Sequence, residues 1–107
     1  MISFLPCEKP DCIEFTAFEN EKEVGKCTFY VEKYTMYFTA FSCIGDIMAE
    51  GLARSAMNCA ANKGAYIAKI SRELSNPAFI RLGFEGENEL TVEIPQALTS
   101  GCSCNHN

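Results

Sequence analysis

The apolar pattern of this chain changes period at Gly45-Asp46, and that change constrains the fold more than any other feature. Before it, apolar residues alternate with a period of two. After it, they recur at three and four. In residues 12–19, Ile13, Phe15 and Ala17 fall on one side and Glu14, Thr16 and Phe18 on the other, as in a strand. The polar run 20–23 reads as a turn. Residues 24–32 alternate again, with Cys27, Phe29 and Val31 opposed to Thr28 and Tyr30. Residues 34–43 are rich in aromatic and β-branched side chains, which suit a third strand. Short links make these three strands an antiparallel meander.

Asp46 is the expected N-cap of a helix over 46–63, with Met48, Leu52, Ala56, Cys59 and Ala60 on its apolar face. Glu50 and Arg54 form an i,i+4 pair, and Gly64 supplies the stop. Residues 65–71 then read as a short strand, parallel to the one before the helix. Ser75 is the expected cap of a second, short helix with Pro77 in its first turn and Gly83 at its end. After a turn over 84–88, Leu90, Val92 and Ile94 mark a last strand closed by Pro95. Pro6 and Pro10 make 1–11 an irregular lead-in, and 99–107 reads as a flexible tail. The expectation is one α+β domain over 12–98, in the order β-β-β-α-β-α-β. Its mixed sheet has an antiparallel meander, one β-α-β crossover and a last antiparallel strand.

Charge and cysteine content narrow the function. A formal charge of −5 argues against nucleic-acid binding, which needs a basic face. No run approaches the roughly 20 apolar residues of a membrane helix. Residues 1–6 carry no basic region and no long apolar run, so a secretory leader is not expected. Seven cysteines without export point to reduced thiols and a cytoplasmic protein.

Three local matches, in order, carry a resemblance to a known family over about residues 12–94. The first is the strand over 34–43 leading into a helix that ends Ala60-Ala61-Asn62-Lys63-Gly64. The second is the strand over 65–71. The third is Ala78-Phe79-Ile80-Arg81-Leu82-Gly83-Phe84, with its Leu-Gly-Phe ending. Together they resemble the GNAT acetyltransferases of the acyl-CoA N-acyltransferase fold, in a minimal, motif-degenerate form.

That resemblance implies an acetyl-CoA or CoA site. The strand before the long helix would splay from its neighbour and hold the pantetheine arm by main-chain hydrogen bonds. The following loop would offer amides to the pyrophosphate, since free N–H groups and the helix dipole favour anions. Carried onto this chain, the cofactor residues are Phe41 and Cys43 on the strand, then Gly45, Asp46, Ile47, Met48 and Ala49 in the loop, with Phe79 packed against the pantetheine. The family loop reads Arg/Gln-x-x-Gly-x-Gly/Ala. Ile44, Ile47 and Ala49 occupy those places, and only Ala49 conforms. Asp46 and Glu50 add two carboxylates beside the expected pyrophosphate. Phe79 stands where the family often has a proton-donating Tyr. Residues 20–23 stand where it usually has two helices that grip the acceptor. No residue is assigned as catalytic.

The remaining chemistry-bearing residues have competing readings. Cys43 is either a reactive thiol beside the thioester or a small buried hydrophobe. Cys27 and Cys59 read as core. Cys102, Cys104 and His106 could hold Zn²⁺ or Cu⁺ with thiolate and imidazole, form a redox pair, or sit in an unstructured tail. Tyr30, Tyr34 and Tyr37 suit packing on a sheet face better than catalysis. Glu14 and Glu32 are candidate general bases that more simply are solvated. The leading expectation is an acyl-CoA-binding protein that transfers an acetyl group to a small amine. The alternatives are a non-catalytic binding or metal-handling protein, and an interaction module whose bare sheet face is hidden in a homodimer.

Overall fold

A computed structural model describes residues 1–100. The chain forms β1 (Ile2–Glu8), β2 (Ile13–Glu19), β3 (Lys22–Glu32), β4 (Thr35–Cys43), α1 (Asp46–Asn62), β5 (Ile67–Ser71), α2 (Pro77–Arg81), β6 (Glu89–Glu93) and α3 (Ile94–Ser100). The strands make one six-stranded sheet in sequence order. All neighbours are antiparallel except β4 and β5, which run parallel on either side of the α1 crossover. The mixed α+β sheet and its parallel crossover are as the pattern predicted.

Three differences from the sequence reading have local causes. The proline-bearing lead-in is a strand: β1 pairs with β2 from Ile2↔Glu19 to Glu8↔Ile13. An edge strand needs no N–H on its outer side, so Pro6 is tolerated opposite Phe15. At the other end, Pro95 does not stop structure but is the second residue of α3, where a missing N–H costs nothing. The helix caps also shift by one. Gly45, not Asp46, is the N-cap of α1, and Asn76, not Ser75, caps α2 through Ala78 N–H to Asn76 Oδ1 at 2.8 Å.

Alternation places Ile13, Phe15, Ala17, Cys27, Phe29, Met36, Phe38, Ala68, Ile70, Leu90 and Val92 on one face of the sheet, all buried. α1 covers it with Met48, Leu52, Ala53, Ala56, Met57 and Ala60, and α2 and α3 pack against α1. Cys59 lies at the margin of this core, half-buried. The residues of the opposite face are exposed or half-buried. There Tyr30 and Tyr37 stack with ring centres 5.0 Å apart. Asn20 and Glu21 both have positive φ, 54° and 73°, the backbone of a tight two-residue hairpin turn between β2 and β3. No described helix is long and apolar enough to cross a membrane.

Candidate functional site

The site begins with one extra residue in β4. Thr28 pairs with Ala40 and Phe29 with Phe38, so Thr39 is a β-bulge. Its hydroxyl donates to the Thr28 carbonyl at 3.4 Å. A bulge reverses the alternation beyond it. Met36 and Phe38 face the core before Thr39; Phe41 and Cys43 face it afterwards. The parallel pairing ends just before this residue, and β5 itself ends at Ser71. The β4–β5 register runs from Thr35↔Ile67 to Phe38↔Ile70 and stops, while β4 continues against β3 alone to Gly25↔Cys43.

Residues 39–43 therefore have an open edge on the β5 side. Ile44 N–H donates to the Val24 carbonyl at 2.9 Å. Counting back by the antiparallel alternation, Ser42 and Ala40 turn their polar backbone groups toward β3, and Phe41 and Cys43 turn theirs toward the gap. These are two of the residues the sequence singled out. Thr39, the bulge at which the gap begins, was not among them. Its signal was the phase change from Met36 and Phe38 to Phe41 and Cys43, hidden in an aromatic-rich run.

α2 lies beside the gap. Phe79 is fully buried and meets Phe38, Phe41 and Phe84 edge-on, with ring centres 5.4, 4.7 and 5.0 Å away. Such T-shaped contacts are favourable beyond their buried area. Phe79 thus stands behind the half-buried Phe41. It supports the ring that flanks the gap and does not itself reach the surface.

The loop after β4 leads into the N-terminus of α1. Gly45, at φ 87°, caps the helix, and its carbonyl accepts from Ala49 N–H at 3.0 Å. No side chain caps it. The amides of Asp46, Ile47 and Met48 precede the first bonded helical donor, Ala49 N–H, and have no intrahelical partner. Of the loop residues named from the sequence, Met48 and Ala49 bury their side chains, and the Ala49 amide is already used by the helix. Ile44 and Ile47 are exposed.

The two carboxylates beside this N-terminus are both paired. Arg81, at the end of α2, places Nη2 3.7 Å from Asp46 Oδ2 and Nε 2.5 Å from Glu50 Oε2. Arg54 holds the other Glu50 oxygen at 3.4 Å. Hydrogen bonding to Glu50 raises the pKa of Arg81, which stays charged. Two cations thus balance two anions at the helix start. The α1–α2 pairing spans 31 residues and has no local sequence signature.

Burial disfavours ionisation of three of the thiols. Burial raises the pKa of half-buried Cys43, and its Sγ donates to the Ile44 carbonyl at 3.8 Å. Burial pushes Cys27 up to about 12 and raises Cys59 as well. Protonated thiols are poor nucleophiles. Glu14 is engaged by Lys9 at 3.7 Å. Among the described residues no three His, Cys, Asp or Glu side chains gather as metal ligands. Cys102, Cys104 and His106 lie outside the described residues.

Comparison with known proteins bears on the fold. No protein-family model matches the chain, and no curated protein matches it in sequence. Solved structures do match. One is a probable acetyltransferase from Staphylococcus epidermidis, to which this chain is similar at 16% identity and TM-score 0.67, covering 77% of this chain and 67% of that one. A second is a PaiA N-acetyltransferase from Thermoplasma acidophilum in complex with coenzyme A, at 13% identity and TM-score 0.67, covering 78% and 61%. A third is a GNAT family acetyltransferase from Brucella melitensis in complex with acetyl-CoA, at 16% identity and TM-score 0.61, covering 76% and 57%. The chain spans about three-fifths to two-thirds of the length of these proteins. Its fold is the GNAT fold.

Proposed function

We propose that this protein binds acyl-CoA, with the pantetheine arm along the open edge of β4 and the pyrophosphate at the N-terminus of α1, and passes the acyl group to a small amine. One observation carries the reading: β4 runs on past the end of its β5 pairing, and beyond the bulge at Thr39 the backbone groups of Phe41 and Cys43 face the open side. An amide-bearing arm between two splayed strands pairs with main-chain groups as a further strand would. The residues present suit this ligand. Gly45 has open space where a Cβ would stand, and no side chain occupies the amides of residues 46–48 as a cap. Two of the similar structures are complexes with coenzyme A or acetyl-CoA.

In the transfer step a neutral amine attacks the thioester carbonyl. The C–N bond forms, the C–S bond breaks, and the thiolate leaves. A β4 N–H aimed at the carbonyl oxygen stabilises its developing charge. Phe79 has no proton to give, so the thiolate takes its proton from the substrate ammonium or from water. In the family's frame β1 is the first strand, so the segment that usually grips the acceptor corresponds to residues 9–12 and not to 20–23. Four residues cannot form two helices. That end of the sheet therefore offers the acceptor few gripping contacts.

That same shortness favours a second reading, acyl-CoA binding without turnover, in which the bare sheet face docks a second copy of the chain. Light scattering at high concentration separates them, because a monodisperse monomer removes the docking role. We place the protein in the cytoplasm, in keeping with free thiols at Cys7, Cys12, Cys27, Cys43 and Cys59. The direct test is isothermal titration with CoA and with acetyl-CoA. Saturable heat for both is expected, and no heat at millimolar ligand overturns the reading.

A further inference from the structure

We infer that Arg81 is the specificity-determining positioning residue of the α1 N-terminus: it neutralises Asp46 and Glu50 from α2 so that this helix start accepts a diphosphate. The inference rests on the acyl-CoA reading and adds to it the reason a site framed by carboxylates takes an anion. Asp46 is the first residue of α1 and Glu50 lies one turn on, so both carboxylates stand beside the free amides. Unpaired, they would repel a doubly charged group across a short distance. Arg54 cannot relieve this alone. It belongs to α1 itself and meets only Glu50, at 3.4 Å. Arg81 reaches both, at 3.7 Å from Asp46 and 2.5 Å from Glu50, from a separate helix. Asp46, Glu50 and Arg54 carry a net charge of −1 without Arg81, and the cluster is neutral with it. The amides and the positive helix end are then the uncompensated polar groups facing a ligand.

This arrangement replaces a basic loop side chain with a basic residue contributed through space. It predicts a division of labour: Arg81 governs the phosphate end of the ligand and leaves the pantetheine end to β4. A merely structural role, holding α2 against α1, would affect both ends alike.

The test compares wild type with Arg81→Gln, Arg81→Lys and Arg81→Gln in an Asp46→Asn/Glu50→Gln background. Binding of CoA and of pantetheine, which lacks the diphosphate, is followed by ¹⁵N chemical shifts, with thermal melting to verify folding. Arg81→Gln should weaken CoA about tenfold at low salt, an effect that shrinks in high salt, and leave pantetheine unchanged. Arg81→Lys should retain most of the affinity. Neutralising Asp46 and Glu50 should restore CoA binding to the Gln variant. Equal weakening of both ligands, an unchanged CoA affinity, or no restoration would each overturn the role of Arg81. A wild-type protein that binds neither ligand would overturn the acyl-CoA reading itself, and the inference with it. The two failures are distinguishable because in the second the wild type is silent.

Discussion

Gly25 and Cys43 face each other across β3 and β4 so closely that a Cβ on Gly25 would lie 2.5 Å from Cys43 Sγ, 2.8 Å from its Cβ and 3.0 Å from its Cα. The end of β4, which carries the open edge, is therefore held against β3 by the absence of a side chain. Gly51 is a useful contrast. A Cβ there would meet the ring tip of Phe4, 2.5 Å from Cζ, but that ring is half-buried on the edge strand and can swing away.

Gly25→Ala should accordingly destabilise by about 1–3 kcal/mol, the cost of overpacking against the side chain and Cα of Cys43. Gly51→Ala should be near neutral or stabilising, since Ala is favoured over Gly inside a helix by up to about 1 kcal/mol. Urea midpoints of the two variants test this, and an equal loss in both would refute the contrast.

The open edge has its own signature in hydrogen exchange. The amides of Ala40 and Ser42 are bonded to β3, whereas those of Phe41 and Cys43 face the gap. In the free protein Phe41 and Cys43 should exchange faster than Ala40 and Ser42, and saturating CoA should slow the first pair selectively. Uniform protection along residues 40–43 would mean that the edge is not open.

The buried thiol of Cys27 makes stability depend on alkaline pH. Unfolded, it ionises near its ordinary value of 9; folded, burial holds the proton to about 12. Between those values the unfolded chain binds fewer protons, so stability is fully present below pH 9 and falls as pH rises through the window. The slope is at most about 1.4 kcal/mol per pH unit from this group. Cys27→Ala should flatten the dependence seen in urea unfolding between neutral pH and about pH 10.5. The smaller contributions of Cys43 and Cys59 have the same sign and remain in the variant.

Phe79 tests how far the aromatic cluster supports the site. Phe79→Ala should cost about 3–5 kcal/mol, the usual price of emptying a buried ring site. Phe79→Tyr adds a hydroxyl to a fully buried position and should cost about 1–3 kcal/mol if it finds no partner. It should not raise transfer activity, because the ring lies behind Phe41 and away from the surface. A gain in turnover would show that the added phenol reaches the leaving thiolate.

Much of this was legible in the sequence because period and chemistry agreed. Met48, Leu52, Ala56 and Ala60 located α1 to within one residue at its C-terminal end. Phe41 and Cys43 were singled out only through the family resemblance, as residues of the strand before that helix. What escaped depended on contacts or on context. Pro6 looked like a breaker because sequence does not reveal which strand is an edge, and Pro95 because it does not reveal where a helix begins. Tyr37, Phe38 and Phe41 blurred the phase change at Thr39. Asp46 and Glu50 looked adverse to an anion because Arg81 is distant in the chain and near only after α2 folds back.

The bulge at Thr39 also changes what kind of information specifies this groove. Its polar groups are main chain, and its position is set by how many residues β4 spends between Phe38 and Ala40. Such a feature is inherited as a length and not as a motif. Substitution can erode many of the side chains around it without removing the bulge, whereas deletion of Thr39 would make Phe29↔Phe38 and Thr28↔Ala40 consecutive pairs of a regular ladder, with the bulge gone and Phe41 and Cys43 still facing the core.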